Sequence, residues 1–453
     1  MVSEKLATFP KGGIHPLEFK ELTSQLSVET MPAPAQVRLF LKQHAGVPCE
    51  PLVKKGDEVI EGDLVATVEE GLGANLHASV SGTVKRIGTA LHPMAGTAPA
   101  IVLSTDLEAA PRSYVPFDWT TFSKKQLLAK IKNAGIVGLG GAGFPASVKL
   151  TLRPDVKVDT LILNGAECEP YLTSDHRMMV EHPEDIIQGA EIILKVLGID
   201  HCIIGIENNK PDAIEVLNRA ISETTSKNGR RIVVKPLQVK YPQGAADQLM
   251  QSITGRVRPS GKRSSAIGVI VQNVYTSKAI YDAVVLGKPF YERVITVSGK
   301  GIARQANLKV RIGTSLADIA DYLGGTAPDL VKIVVGGPLM GYAVPNLNAP
   351  ITKTTSGLLF LTKDEVDLQC HYPCIRCGLC LKVCPMGLEP NNIGIYVEAG
   401  RGAETEQFGA EDCFECGSCA FVCPAKRPLV QFIRLAKMKI RQAKDRRAKK
   451  QDG

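Results

Sequence analysis

From Val37 to Gly88 apolar and polar residues alternate in short phrases, VRLFL, then PLVKKGDEVIEGDLVATVEE, then LHASVSGTVKRIG, separated by glycine turns. Period-two alternation broken in this way predicts a small all-β domain over residues 1–110. The pattern changes at Ser123, after which Leu127, Leu128 and Ile131 fall on one helical face and Gly135 stops the run. Beyond it, apolar strands such as TLILN (160–164) and CIIGI (202–206) alternate with amphipathic helices, which predicts an α/β domain over 120–290. The proline-bearing stretch from Glu108 to Thr121 reads as the linker between them. From Val294 to about Val344 the chain is strand-rich again, with a helix near Leu316 to Leu323, and predicts a compact α+β unit over 291–350. A cysteine-rich segment (355–433) and a basic tail (434–453) follow.

Gly56-Asp57 and Gly62-Asp63 mark two turns around a six-residue repeat. This phrase resembles the barrel-sandwich fold of biotinyl and lipoyl carriers, in which the turn pair precedes a hairpin bearing a modifiable lysine. Here that hairpin is Gly71-Leu72-Gly73-Ala74-Asn75, without lysine. The domain is therefore expected to be a structural or docking module rather than a swinging arm.

A chain of 453 residues, 44% hydrophobic, has enough apolar surface for roughly two to four domains, each with its own core. No apolar run approaches the roughly 18 residues needed to span a bilayer, so any membrane association is expected to come through partners. The opening segment, Met1 to Lys11, mixes charges with a proline and does not read as a signal peptide, which points to a reducing cytosolic compartment. Much of the formal charge of +8 sits in the last helix-like segment, IRLAKMKIRQAKDRRAKK. That run reads as a solvated tail that frays after the last cysteine, or as a docking element for an acidic partner or anionic membrane. It has no aromatic interleaving and no nucleic-acid reading module, so nucleic-acid binding is not expected.

Eight of the twelve cysteines fall in two copies of one phrase, Cys374-x2-Cys377-x2-Cys380-x3-Cys384-Pro385 and Cys413-x2-Cys416-x2-Cys419-x3-Cys423-Pro424. This is the ligand spacing of a protein with two [4Fe-4S] clusters, in which the fourth cysteine of each run serves the other cluster. The expected sets are Cys374, Cys377, Cys380 with Cys423, and Cys413, Cys416, Cys419 with Cys384. Zinc sites pair CxxC knuckles at longer spacing, and a disulfide framework does not suit this compartment. The chain is thus expected to carry single electrons. Cys49, Cys168, Cys202 and Cys370 lie outside the phrases and read as small buried hydrophobes. Cys168, between two glutamates, stands nearest to other candidate chemistry, and Cys370 is close enough in sequence to substitute for a ligand.

The phrase Gly138-Leu139-Gly140-Gly141-Ala142-Gly143-Phe144-Pro145 contains a literal GxGxxG. A dinucleotide fingerprint needs a strand before the glycines, and here a helix precedes them, so a Rossmann fold is not predicted. The physical role survives without that fold: backbone N–H groups can approach a phosphate or flat ring, and Pro145 opens a following helix. Asn164-Gly165-Ala166-Glu167-Cys168-Glu169-Pro170 lies at the end of the strand TLILN, where side chains of an α/β sheet converge on ligands. Tyr241-Pro242-Gln243-Gly244 and Val271-Gln272-Asn273-Val274 are two further strand-end phrases. Taken singly, each also fits ordinary turn or strand-cap chemistry.

Together these residues resemble the C-subunit family of the Rnf electron-transport complex (the RnfC or RsxC family) and, more distantly, the flavin- and NADH-binding subunit of respiratory complex I. The resemblance runs from GGIHPLEFKELT (Gly12 to Thr23) through the last cluster cysteine. It rests on GLGGAGFP, NGAECEPYLTSDHR, YPQG, GGPLMG and the twin cysteine phrases. It implies a multidomain α/β and α+β protein with four parts: an N-terminal β-rich barrel-sandwich domain, an α/β flavin domain, a soluble-ligand-binding β-grasp domain and a C-terminal two-cluster ferredoxin-like domain. It also implies noncovalent FMN over Gly138, Gly140, Gly141, Gly143 and Phe144, with Lys149 near the flavin or its phosphate. Asn164, Asn273, Tyr241 and Gly244 would be further cofactor contacts, and Glu167 and Glu169 would border the nicotinamide. Where complex I has Gly-Glu-Glu, this chain has Gly244-Ala245-Ala246, with Asp247 the nearest acid, and Ala166 stands where complex I has an aspartate. Both departures bear on how the nucleotide is held.

A nicotinamide exchanges two electrons as hydride and a cluster passes one, so a flavin must stand between them. The resemblance implies NAD(H) as substrate, ferredoxin as an indirect donor, and docking on membrane-embedded and ferredoxin-like Rnf subunits at the cytoplasmic face of the membrane. Energy released would drive H⁺ or Na⁺ transport. Two rivals stand beside this reading. A soluble corrin reductase would lack the N-terminal β domain. A non-catalytic cluster-bearing adaptor would have lost nucleotide binding, as Ala245-Ala246 would allow.

Overall fold

The computed structural model describes residues 6–94, 96–224 and 231–451. The N-terminal module is a pair of antiparallel sheets, one of Gln36–Phe40, Gly96–Thr105, Gly82–His92 and Glu58–Val59 and the other of Glu50–Pro51, Leu64–Thr67 and Leu76–His77. The six-residue turn repeat is visible as two equal turns: the Asp57 and Asp63 carboxylates accept from the N–H of Lys54 and Ile60, each at 2.9 Å. Gly56 and Gly62 take the left-handed φ of +93° and +86° that these turns require.

Residues 6–30 do not join this module, although they fall within the expected 1–110 range. They run across the other domains as a strap. Ala7 bridges to Leu237, Ile14 bridges to Tyr241, and Val28–Thr30 becomes an edge strand of a distant sheet.

The helix expected after Ser123 is present as Lys124–Asn133, closed at its start by a capping box between Ser123 and Gln126, with Leu127 and Ile131 buried. It leads directly into the glycine loop, so no strand precedes the GxGxxG. The following sheet is fully parallel, in the order Arg231–Leu237, His201–Glu207, Thr160–Asn164, Val269–Asn273. Helix Pro183–Leu197 is among those that cover it, so its strands read as apolar runs rather than alternations. Register pairs Asn164 with Asn273, so both asparagines stand at the sheet's carboxyl edge.

The α+β unit is a six-stranded mixed sheet in the order Val28–Thr30, Ala306–Arg311, Glu292–Ser298, Gly357–Thr362, Leu330–Val335, Tyr342–Val344. It is larger than the expected 291–350. Gly357–Thr362, assigned from sequence to the cysteine-rich segment, is buried along its whole length at the sheet centre.

The cysteine-rich segment packs around Ile393, Leu429, Ile433, Ala436 and Ile440. The basic tail expected at 434–453 is not a fraying appendage. It is the body of one helix, Leu429–Gln451, whose apolar side helps form this core; positions 452–453 lie outside the described residues. Among the described residues no helix is long and apolar enough to cross a membrane.

Candidate functional site

The glycine loop folds back on itself. Gly138 N–H donates to the Phe144 carbonyl at 2.8 Å, and a bridge joins Val137 to Pro145. Three groups from other elements hold it from behind: Thr276 Oγ1 accepts from Leu139 N–H at 3.0 Å, Arg293 Nη2 donates to the Leu139 carbonyl at 3.0 Å, and Ala45 N–H donates to the Gly143 carbonyl at 3.0 Å. The N–H groups of Gly140, Gly141, Ala142, Gly143 and Phe144 have no hydrogen-bond partner among the described residues. Gly141 sits at φ +123° with nothing within 4 Å of where a Cβ would be, while a Cβ on Gly140 would lie 3.5 Å from that of Asn273. The loop therefore presents a row of free donors beside the sheet's carboxyl edge.

Lys149, on the short helix Ala146–Leu150 that Pro145 opens, is half-buried, and its ammonium group makes no hydrogen bond or ion pair. Burial alone lowers its pKa to about 8. An unpartnered ammonium on the helix that follows a row of unpaired amides is the donor chemistry that a phosphate monoester requires, so these residues fit an FMN.

The strand-end residues come together, but mostly in each other's service. Asn164 donates to the Gly244 carbonyl at 2.8 Å and accepts from Ala166 N–H at 3.1 Å. Asn273 caps helix Val274–Tyr281, accepting from Tyr275 and Thr276 N–H, and donates to Asp175 at 2.5 Å. Glu167 caps helix Ser174–Glu181, accepting from Asp175 N–H at 2.7 Å and His176 N–H at 3.1 Å. Glu169 accepts from Tyr241 Oη at 3.1 Å and from the N–H groups of Leu339 and Met340 at 3.0 and 2.9 Å, tying down the GGPLMG loop. Asp247 is held in a two-point pair with Arg258, at 2.7 and 2.6 Å. The thiol of Cys168, 3.3 Å from Gly244 N–H, is raised chiefly by burial and is a poor nucleophile.

The sequence reading passed over three contributors: Asp175, Thr276 and Arg293. Asp175 lies within the quoted phrase NGAECEPYLTSDHR. Burial and then repulsion from Glu167 push its pKa up to about 7, so it holds a proton far more readily than an ordinary carboxylate. Two buried lysines fix the carbonyls of the same loop: Lys20 reaches those of Glu167, Glu169 and Leu172 at 2.8, 2.9 and 2.5 Å, and Lys210 reaches that of Ala166 at 2.7 Å.

The two cysteine phrases fold alike. In Cys374–Gly378 and Cys413–Gly417 the residue before the second cysteine, Arg376 or Glu415, takes a left-handed φ of 55° or 64°. This turns its N–H onto the first sulfur, at 3.4 Å for Cys374 and 3.3 Å for Cys413. Each run then enters a short helix, Leu379–Val383 or Ser418–Phe421. Cys374, Cys377, Cys380 and Cys423 line one recess. Burial, with repulsion from neighbouring sulfurs, raises the thiols of Cys380, Cys413, Cys416 and Cys419. For Cys380 the repelling neighbours are Cys423, Cys374 and Cys377, whereas Cys413 (pushed up to about 11), Cys416 and Cys419 all repel Cys384. The recess walled by four sulfurs from both runs fits a cubane. Among the described residues no three His, Cys, Asp or Glu side chains gather as around one metal ion. Cys370 is exposed and outside the recess lining.

Family models match successive parts of the chain: the RnfC barrel sandwich hybrid domain over residues 8–108, the Nuo51 FMN-binding domain over 131–282, and the 4Fe-4S dicluster domain over 373–426. The chain is 45% identical over 442 residues to a Clostridium ljungdahlii protein described as the C subunit of the proton-translocating ferredoxin:NAD(+) oxidoreductase complex, covering 96% of this chain and 95% of that one. Its identity to the C subunit of the Na(+)-translocating ferredoxin:NAD(+) oxidoreductase complex of Acetobacterium woodii is 41%, over 96% and 98% of the two chains. Its identity to the C subunit of the ion-translocating oxidoreductase complex of Rhodobacter capsulatus is also 41%, over 96% and 84%. Among solved structures, an NAD+-reducing [NiFe]-hydrogenase in the H2-reduced state superposes with a TM-score of 0.51 at 19% identity. That match covers 69% of this chain and 61% of the hydrogenase chain, and at this identity it speaks to fold alone. At 41–45% identity over 96% of its length, the chain belongs to the family of C subunits of the ion-translocating ferredoxin:NAD(+) oxidoreductase complexes.

Proposed function

We propose that this subunit exchanges hydride between NAD(H) and an FMN seated over Gly138–Gly143, and passes single electrons through two [4Fe-4S] clusters to or from neighbouring subunits. Flavin supplies the conversion between two-electron and one-electron chemistry. The observation that carries the reading is the row of unpaired amides from Gly140 to Phe144, followed on the next helix by the unpartnered Lys149. These groups would hold the phosphate and one edge of the ring. Asn164, Asn273 and Gly244 would shape the sheet edge beneath it, and Glu167 and Glu169, through the turns they fix, would set the floor of the nicotinamide side. The clusters would be held by Cys374, Cys377, Cys380 and Cys423, and by Cys413, Cys416, Cys419 and Cys384. No acid–base group is needed for hydride transfer; the chain's part is to bind, orient and exclude solvent.

Docking on the other subunits would bring the protein to the cytoplasmic face of the membrane, with ferredoxin as indirect partner and H⁺ or Na⁺ as the transported ion. The N-terminal barrel sandwich speaks against the corrin-reductase reading. The adaptor reading has Ala245-Ala246 and the fully engaged Glu167 and Glu169 in its favour. Anaerobic addition of NADH to the purified holoprotein decides between them. Bleaching of bound flavin followed by cluster reduction is expected, and clusters that accept electrons from dithionite while the flavin stays oxidised under NADH would establish the adaptor.

A further inference from the structure

Three segments meet where the α/β domain touches the cluster domain. The first is the turn carrying Tyr241, whose ring is 2% exposed. Its hydroxyl lies 2.7 Å from the Cys416 carbonyl and 3.1 Å from Glu169, so it is engaged on the cluster side rather than open to a nucleotide. The other end of that turn, Gly244, accepts from Asn164 at the sheet's carboxyl edge. The second segment is the strap. Ile14 and Tyr241 exchange backbone hydrogen bonds at 2.9 Å each way, and Gly13 N–H donates to the Val383 carbonyl at 2.9 Å. Gly12, at φ +69°, lies so close that a Cβ would come within 2.6 Å of the Cys384 carbonyl carbon. The third is the cluster domain itself, where Ile14, Tyr241 and Cys416 share one buried apolar patch with Cys168, Val383 and Phe414 at its margin.

Cys416 and Cys384 come from different runs, yet the cysteine spacing assigns both to one cluster. The strap and the turn therefore both grip one cluster site. The other site faces outward: Cys377 is exposed, and Ile375 and Tyr372 near its recess are 67% and 59% exposed. Electron transfer weakens steeply with distance and is better conducted through bonds and hydrogen bonds than across gaps.

We propose that Tyr241 and the Lys11–Ile14 strap make the site at Cys384, Cys413, Cys416 and Cys419 the one that exchanges electrons with the flavin, leaving the site at Cys374, Cys377, Cys380 and Cys423 as the terminus that meets the partner subunit. This rests on the electron-transfer reading above. Tyr241 is a positioning residue; it keeps its proton, and no bond in the protein forms or breaks. Electrons that NADH supplies as a pair to the flavin would pass singly to the cluster held by the inner site, then to that of the outer site, and end on the redox group of the partner.

The test uses the holoprotein in three variants. Cys377→Ser marks the outer cluster by altering its electron paramagnetic resonance signal. Tyr241→Phe removes the hydroxyl, and Gly12→Ala crowds the strap against Cys384 without touching the flavin side. In redox titrations with dithionite, Tyr241→Phe and Gly12→Ala are expected to shift the midpoint or signal of the cluster that Cys377→Ser leaves unchanged. Under NADH, Tyr241→Phe is expected to slow cluster reduction several-fold relative to flavin bleaching. If the cluster marked by Cys377→Ser is the one that shifts, or neither does, the order is wrong. Failure of wild-type flavin to bleach would count against the hydride reading and leave the dithionite result to judge the order.

Discussion

Lys149 carries its ammonium group into a half-buried position where neither carboxylate nor carbonyl meets it, and burial lowers its pKa to about 8. The proton is held more firmly in the unfolded chain, near 10.5, so the folded protein gains stability as pH rises from about 8 towards that value. Binding a phosphate should do the reverse, drawing the proton back, so FMN retention is expected to fall as pH climbs past about 8. Lys149→Met should weaken FMN by roughly 10- to 150-fold, the loss of a charge-assisted hydrogen bond of about 1.5–3 kcal/mol, while leaving apoprotein stability equal or higher. Fluorescence titration of released FMN across pH 6.5–9.5 would check both statements. Glu167 and Glu169 show where sequence reading stops at this scale. Their place at a strand end was legible, but not their partners, because a carboxylate in a turn looks the same whether it faces a ligand, a helix start at Asp175 or a loop at Leu339.

Elements with a local cause were readable from the chain. The Ser123 capping box, the apolar strand Thr160–Asn164 and the paired aspartate turns each follow from residues a few positions apart. Strands Val28–Thr30 and Gly357–Thr362 were missed because their status depends on pairing with Ala306–Arg311 and Glu292–Ser298, far off in sequence. The last helix was misjudged for a related reason: its abundant lysine and arginine hid a sparse apolar stripe, Ile433, Ala436 and Ile440, that packs beside Cys380 and Cys419. Its cations are also employed, since Arg434 and Lys437 grip Glu415 at 2.7 and 2.8 Å. Ile440→Ala is therefore expected to cost about 2–4 kcal/mol and to lower the temperature at which cluster absorbance is lost, whereas Met438→Ala, on the exposed side, should stay within about 0.5 kcal/mol. Thermal melts followed at the cluster band compare the two.

Across the whole molecule, seams between domains are closed by buried cations that donate to backbone carbonyls. Lys353 reaches the carbonyls of Asn75 at 2.6 Å and Gly135 at 2.7 Å, joining the β-grasp unit to both the barrel sandwich and the α/β domain. Arg293 does the same for Leu139, and Lys20 for the loop at Glu167. Such contacts hold domains in register at the expense of desolvating a charge; burial lowers Lys353 to about 8. Lys353→Met leaves two buried acceptors unpaired and should cost about 1–3 kcal/mol for each, splitting one calorimetric transition into two as the barrel sandwich loosens first. The strap has a consequence of another kind, for the order of biogenesis. Gly12 and Gly13 close on Val383 and Cys384, so this strap has no seat until the cysteine-rich segment, far later in the chain, has been made. A chain whose cysteine-rich segment is unfolded would leave Ile14 open to proteases, and a folded one buries it.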